Sequence, residues 1–207
     1  MFNLGTISLT AEQLRYSPGV VESRAEAGLR PRTRRAILDA AVRVLAESPS
    51  ASVADVAAVA GVGRTTVHRY FPERSDLLAG IEADLLERID AATRAARTTE
   101  GPAGAALRRL CEEYFTLGDV LTLVYQDPTL LSRVRWTEAT GSDLALLELV
   151  ERGQREGEFD PAVDASWVCG VVWSLLFTAW LHARDPRAST HETLALCLET
   201  VRRTVAR

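Results

Sequence analysis

The chain has 207 residues, 47% hydrophobic and 25% charged, an ordinary globular composition with enough apolar side chains for an unaided core. All 24 basic residues are arginine and the net charge is −4, which excludes a uniformly basic nucleic-acid coat but not a local basic patch. Cys111, Cys169 and Cys197 lie far apart in apolar helical contexts and form no C-x-x-C pair. They read as small core residues of a reducing cytosol, with redox sensing as the competing reading.

Residues 1–30 carry no sustained period and hold Pro18, Gly19 and Gly28. They lack a basic stretch before an apolar run, so no signal peptide is expected and the segment reads as a disordered tail. A first helix is predicted from about Arg32 to Ser48, because Ile37, Ala40, Ala41, Val44 and Leu45 follow the i, i+3, i+4, i+7, i+8 template. Pro31 suits its first turn and Pro49 stops it.

Two short helices around a tight turn come next. Ser52 can cap the first, with Asp55 at capping-box spacing, and Val53, Val56, Ala57 and Ala60 share one face. Gly61-Val62-Gly63 breaks it, since glycine tolerates the backbone of a tight turn. The second helix, Arg64 to Tyr70, puts Val67, Tyr70 and Phe71 at i, i+3, i+4 and turns Arg64, Thr65, His68 and Arg69 outward. This is helix-turn-helix patterning, and the outward mixture is what a major groove requires: arginine for guanine edges and phosphate, threonine for phosphate oxygens or the thymine methyl. Residues 31–74 hold seven arginines against four acidic residues, a local charge of +3 within an acidic chain. A solvated helical hairpin is the bland alternative.

The run G61-V62-G63-R64-T65-T66-V67-H68-R69-Y70-F71-P72-E73-R74-S75-D76-L77-L78 resembles the DNA-binding signature of the TetR family of transcriptional repressors. His68 stands where that family usually has tyrosine, and Arg74 where it usually has lysine. Gly63 and Glu73 replace common capping residues, so two helix starts are expected to be poorly capped. The resemblance implies that Arg64, Thr65, Thr66, His68, Arg69 and Tyr70 sit in or beside the major groove, while Arg34, Ser52 and Arg74 hold phosphates. Arg24, Arg30, Arg32, Arg34 and Arg35 would extend this as a basic arm if the tail is not simply disordered.

A fourth helix is predicted from Arg74 to about Arg97, with Leu78, Ile81, Leu85 and Ile89 as its stripe. The resemblance makes it the link between DNA-reading head and body. Thr98 to Gly104 reads as a linker and domain boundary. The body, 103–207, is predicted wholly helical: to about Gly118 with Leu107, Leu110, Cys111 and Tyr114 inward, then 119–126, 129–138, 143–156, 165–183 and 190–205. Gly141-Ser142, Asp164 and the pair Ser189/Glu192 serve as caps. There is no strand alternation, so the fold class is all-α: a three-helix helix-turn-helix head (31–80) and a helical ligand-binding and dimerisation domain.

Residues 165–183 carry no formal charge, and their length alone makes a membrane span a candidate. Ser, Thr, His and the Asp164 cap argue instead for a helix buried on two sides, without membrane insertion. Val168, Val171, Val172 and Leu175, with Leu194, Leu198 and Val201 of the last helix, are assigned to a homodimer seam, as two copies of this family's last two helices form a four-helix bundle. Phe115, Tyr125, Trp136, Trp173, Phe177 and Trp180 are assigned to an apolar or aromatic small-molecule effector, with plain core packing as the alternative.

The sequence therefore predicts a cytoplasmic, ligand-responsive, homodimeric repressor on a palindromic double-stranded DNA operator. An activator or a membrane-attached regulator is the alternative. No catalytic constellation is present, and His68, His182 and His191 show no metal-ligand spacing, so neither enzyme activity, cofactor nor metal is expected.

Overall fold

The computed structural model describes residues 24–126 and 141–206, which form nine α-helices and no strand. Residues 1–23 of the predicted tail, the helix predicted over 129–138 and Trp136 lie outside the described residues. By contacts the chain divides into two compact units, Met1–Arg35 and Ala36–Arg207.

Helix α1 (Arg24–Glu47) starts eight residues before the predicted Arg32 and carries Pro31 in its interior. Arg24, Ala25, Glu26 and Ala27 are all strong or fair helix formers. Their propensity extends the helix past a proline that removes one backbone donor. The predicted stripe is otherwise right: Ile37, Ala40, Ala41 and Leu45 are buried, joined by Leu38 and Val42. Helices α2 (Val53–Ala60) and α3 (Arg64–Tyr70) add Val56, Ala57 and Val67 to the same apolar cluster, and Phe71 comes directly after α3. Helix α4 (Arg74–Ala96) buries Leu77, Leu78, Ile81, Leu85 and Ile89. Each fully buried large aliphatic contributes about 1.5–3 kcal/mol, so this stripe holds the long α4 firmly in the shared core.

A second tie is polar. Arg88 of α4 donates from Nε to Asp84 at 2.6 Å and from Nη2 to Asp39 of α1. Asp84 is only 3% exposed, and the guanidinium lying against it offsets the cost of burying its charge.

The body comprises α5 (Ala103–Phe115), α6 (Gly118–Gln126), α7 (Gly141–Arg155), α8 (Ala165–Ala183) and α9 (Thr190–Val205). Helix α4 continues into it, packing on α5 and α7, while α8 packs on α5, α6, α7 and α9. The segment predicted as a linker is pinned. Arg109 donates to the carbonyls of Ala96, Arg97 and Glu100, and Arg152 to those of Thr98 and Gly101, at 2.7–3.1 Å. Glu158 accepts from the N–H groups of Ala103 and Gly104, capping α5 from a distant loop. Sequence spacing shows none of these partners, because they lie far away along the chain.

Among the described residues helix α7 runs from Gly141, so Ser142 lies within it. Ser142 does not cap it; its Oγ donates to Asp90 of α4 at 2.8 Å. Helix α8 is capped as predicted, by Asp164 accepting from the Trp167 N–H at 3.0 Å. Among the described residues α8 alone is long and apolar enough to cross a membrane. In the fold Val168, Val172, Leu176, Ala179 and Trp180 of this helix are buried against its neighbours.

Candidate nucleic-acid interface

The turn between α2 and α3 is held at both ends by local chemistry. Ser52 and Asp55 form the predicted capping box: Asp55 N–H donates to Ser52 Oγ at 3.3 Å. The Ser52 N–H and hydroxyl both donate to Asp55 Oδ2, at 2.8 and 2.7 Å. These bonds hold the exposed Asp55 carboxyl below its ordinary range. At the other end Gly61 adopts φ +67°, and Val62 N–H reaches back to the Ala57 carbonyl at 3.1 Å, closing a Schellman motif. The left-handed conformation at Gly61 sets the angle between α2 and α3, and a side chain there would be strained.

Helix α3 contains no acidic residue. Val67 is fully buried, whereas Arg64, Thr65, His68 and Arg69 are exposed and Thr66 and Tyr70 half-buried. The predicted outward face is therefore present as a continuous surface of donors and positive charge. The Arg69 guanidinium lies 5.6 Å from the Tyr70 ring centroid, where the ring's negative face attracts it. His68 Nδ1 lies 3.2 Å from the Pro72 carbonyl oxygen.

Two residues assigned to phosphate from sequence are placed otherwise. Both donors of Ser52 are directed at Asp55. Arg74 is half-buried and donates from Nη1 to the Ala51 carbonyl, at 2.8 Å, and from Nη2 to the Pro49 carbonyl. It thus fastens the α1–α2 loop to the start of α4. The poor capping predicted at Gly63 is present, with no side-chain bond to the α3 terminus. At α4 the Glu73 side chain likewise makes no cap hydrogen bond, although Asp76 reaches back to accept from the Glu73 N–H at 2.9 Å, the reciprocal half of a capping box. Arg34 belongs to the other unit, in the middle of α1, and is half-buried.

Gly80 is a determinant of this surface that the sequence reading missed. A Cβ there would stand 2.6 Å from Phe71 Cε1 and 3.3 Å from Leu38 Cδ2, so only glycine admits the Phe71 ring against α4. The ring anchors the end of α3. A glycine inside a helix stripe was the available signal.

The residues assigned to an effector do not form one described site. Trp180 is 3% exposed; its Nε1 donates to the Phe115 carbonyl at 3.1 Å, and its ring fills the space a Cβ on Gly118 would take. Trp173 stacks on Tyr114 with centroids 4.8 Å apart, and Phe177 and Phe115 are half-buried beside the core. The Tyr125 side chain is outside the described residues. An apolar-floored groove of about 560 Å³ lies between α5 and α9, lined by Leu107, Arg108, Leu198 and Arg202, and none of the six assigned residues lines it. On the assigned seam, Val168, Val172 and Val201 are 1–3% exposed within the single chain, so they have almost no surface for a second copy. Val171, Leu175, Leu194 and Leu198 are half-buried. The large exposed apolar side chains of these two helices are Trp167 and Leu181 on α8 and Leu196 on α9.

A basic, acid-free recognition helix, locked by Val67 and Phe71 behind a glycine turn, defines a helix-turn-helix DNA-binding regulator. The family described as "Bacterial regulatory proteins, tetR family" matches residues 37–81. The HTH-type transcriptional repressor LfrR of Mycolicibacterium smegmatis is 42% identical over 161 residues, covering 77% of this chain and 84% of that protein. The crystal structure of LfrR in complex with proflavine superposes with a TM-score of 0.64 at 36% identity, over 85% of this chain and 98% of that one. The ketosteroid regulator KstR2 of Mycobacterium tuberculosis shares the fold, with a TM-score of 0.67 at 18% identity over 84% and 95% of the two chains. The chain belongs to the TetR family of transcriptional regulators, and is a regulator rather than an enzyme.

Proposed function

We propose that the chain is a cytoplasmic, homodimeric repressor released from a palindromic operator by an apolar or aromatic effector. The observation that carries this reading is the exposed face of α3, where Arg64, Thr65, His68 and Arg69 face outward without an acidic neighbour on the helix. Arg64 and Arg69 are the candidates for a base edge, with Thr65, Thr66, Tyr70 and Arg34 as backbone contacts. Residues 31–80 form the head, α4 links it to about residue 97, and 103–207 form the effector and dimer domain. Two heads are required because one short helix discriminates weakly, and half-sites 34–36 Å apart multiply the selectivity.

Trp167, Leu181 and Leu196, with half-buried Val171, Leu175, Leu194 and Leu198, support a seam on the outer faces of α8 and α9. An aromatic effector is supported by the proflavine complex of LfrR and by the aromatic side chains along α5 and α8. Release requires that effector favour the state with mis-spaced heads, and a coupling of roughly 1–3 kcal/mol lowers operator affinity about 5–150-fold.

The test is light scattering with gel shifts on DNA selected by the chain from a random pool. A dimer that binds an inverted repeat and is displaced by proflavine supports the reading. A strictly monomeric chain, or one that selects no sequence, ends it. Trp167→Glu with Leu196→Glu is expected to give monomers with intact helicity.

A further inference from the structure

Building on the effector reading above, we propose that Thr122 is an effector contact that selects for polar edges. Its buried hydroxyl hydrogen-bonds a polar atom on the rim of an aromatic effector seated between α6 and α8. Helix α6 is enclosed over five consecutive positions: Val120, Leu121, Thr122, Leu123 and Val124 are each at most 2% exposed. Five consecutive residues pass all the way round a helix, so no side of this stretch faces bulk water. Thr122 Oγ1 lies within it. Among the described residues it is the one buried side-chain polar atom without a hydrogen-bond partner.

A threonine in a helix has a simple way to satisfy its hydroxyl, which is to donate to the carbonyl four residues back. Thr93, Thr178, Thr200 and Thr204 all do so, at 2.8–2.9 Å, and Ser174 donates to Gly170 at 2.8 Å. Of these, Thr178, Thr204 and Ser174 are exposed, where water would serve as well. Thr122 has the greatest need of that bond and does not make it. An unpaired buried hydroxyl lowers stability, so folding alone disfavours this residue here, and a bound polar atom would relieve it.

The neighbours of Thr122 indicate which ligand fits. Gly118 stands one turn earlier and shares its face of α6. That face meets α8, since a Cβ on Gly118 would stand 2.5 Å from Trp180 Cδ1. One and two turns before Trp180, on the same side of α8, come Phe177 and Trp173. Trp180 is buried and bonded to the Phe115 carbonyl, but Phe177 and Trp173 are half-buried and keep ring surface for a planar molecule. The rings supply apolar contact and the hydroxyl a directional one. A hydroxyl both donates and accepts, so a ring nitrogen, an amine, a phenol or a carbonyl can pair with it. An aromatic hydrocarbon would leave it unpaired. The combination therefore selects aromatic molecules that carry a hydrogen-bonding atom.

The experiment is isothermal titration calorimetry of the full-length chain with proflavine, whose ring nitrogen and amino groups are polar edge atoms. It is run on the native chain, Thr122→Val and Thr122→Ser, each also unfolded in urea without ligand. Thr122→Val keeps the shape and removes the hydroxyl. It is expected to bind proflavine about tenfold more weakly, the loss of one buried hydrogen bond, and to unfold at higher urea than native. Thr122→Ser keeps the hydroxyl and is expected to bind near the native affinity.

Weaker binding together with greater stability is a pair of effects that a purely structural residue does not give. Thr122→Val binding proflavine as tightly as native overturns the proposal and leaves the effector reading standing. So does a Thr122→Val chain less stable than native, because the hydroxyl would then have a partner within the chain. Equal weakening in Thr122→Ser also overturns it, since the methyl and not the hydroxyl would be the contact. A native chain that binds no proflavine overturns the aromatic-effector reading and this proposal together.

Discussion

Replacing Arg74 by methionine separates two roles for the same guanidinium. If it fastens the α1–α2 loop, Arg74→Met removes two charged-donor hydrogen bonds, to Ala51 and Pro49. Such bonds contribute roughly 1.5–3 kcal/mol when shielded. Pro49 is exposed and Ala51 half-buried, so water recovers part of the loss, and about 1–2 kcal/mol is expected in total. For a chain of this size that lowers Tm by about 2–8 °C. Because the loop leads into Ser52, the α2 start loosens and DNA affinity falls, yet the salt slope stays at its native value. Differential scanning calorimetry and anisotropy over a salt series measure both. A slope reduced by about 0.9 per copy with an unchanged Tm would refute the clamp and make Arg74 a phosphate residue. Arg74→Lys is the control: its ammonium lacks the planar fork that spans both carbonyls, so an intermediate Tm is expected.

Gly80→Ala tests the Phe71 socket. Helix propensity favours alanine by about 1 kcal/mol, but a Cβ 2.6 Å from Phe71 Cε1 costs about 1–3 kcal/mol of overpacking. Lower Tm and weaker DNA binding are expected; a raised Tm would show that the ring moves freely. The Thr122 hydroxyl in α6 is fully buried and has no hydrogen-bond partner among the described residues. Thr122→Val is accordingly expected to stabilise the chain by about 1 kcal/mol in urea unfolding, and a loss of that size would mean the hydroxyl is bonded. Burial, then the nearby Cys197 and Glu112, pushes the Cys111 thiol up to about 12, and burial raises Cys197. Both are protonated at neutral pH, since a raised thiol pKa keeps the neutral form well above neutrality. An aromatic disulfide reagent is expected to modify neither before unfolding, as read by mass spectrometry; rapid modification of Cys111 would contradict its burial.

Much of the head was legible because its instructions are local. The Ser52/Asp55 box, the Gly61 turn and the alternation of Val67 and Phe71 with Arg64, Thr65, His68 and Arg69 act within one or two helical turns. The start of α1 was misplaced because a proline inside a helix looks, in sequence, like a proline at its beginning. The assigned seam mixed residues of two kinds, since an apolar helix such as α8 gives no period from which to tell an inner face from an outer one. The same ambiguity assigned Trp180 to an effector, although it packs on Gly118.

By itself the sequence determined the class of helices, the Ser52, Asp164 and Ser189 caps and the outward face of α3, all set by spacings of three or four residues. Only the tertiary structure decided what Arg74, Arg109, Arg152, Glu158 and Gly80 do. The partners of the first four lie 9–55 residues away in the chain. Gly80 is required by a ring nine positions earlier. Helical periodicity specifies which side of a helix is apolar, but a long polar side chain finds its carbonyl only after packing has placed the two helices, and that placement is a property of the whole core.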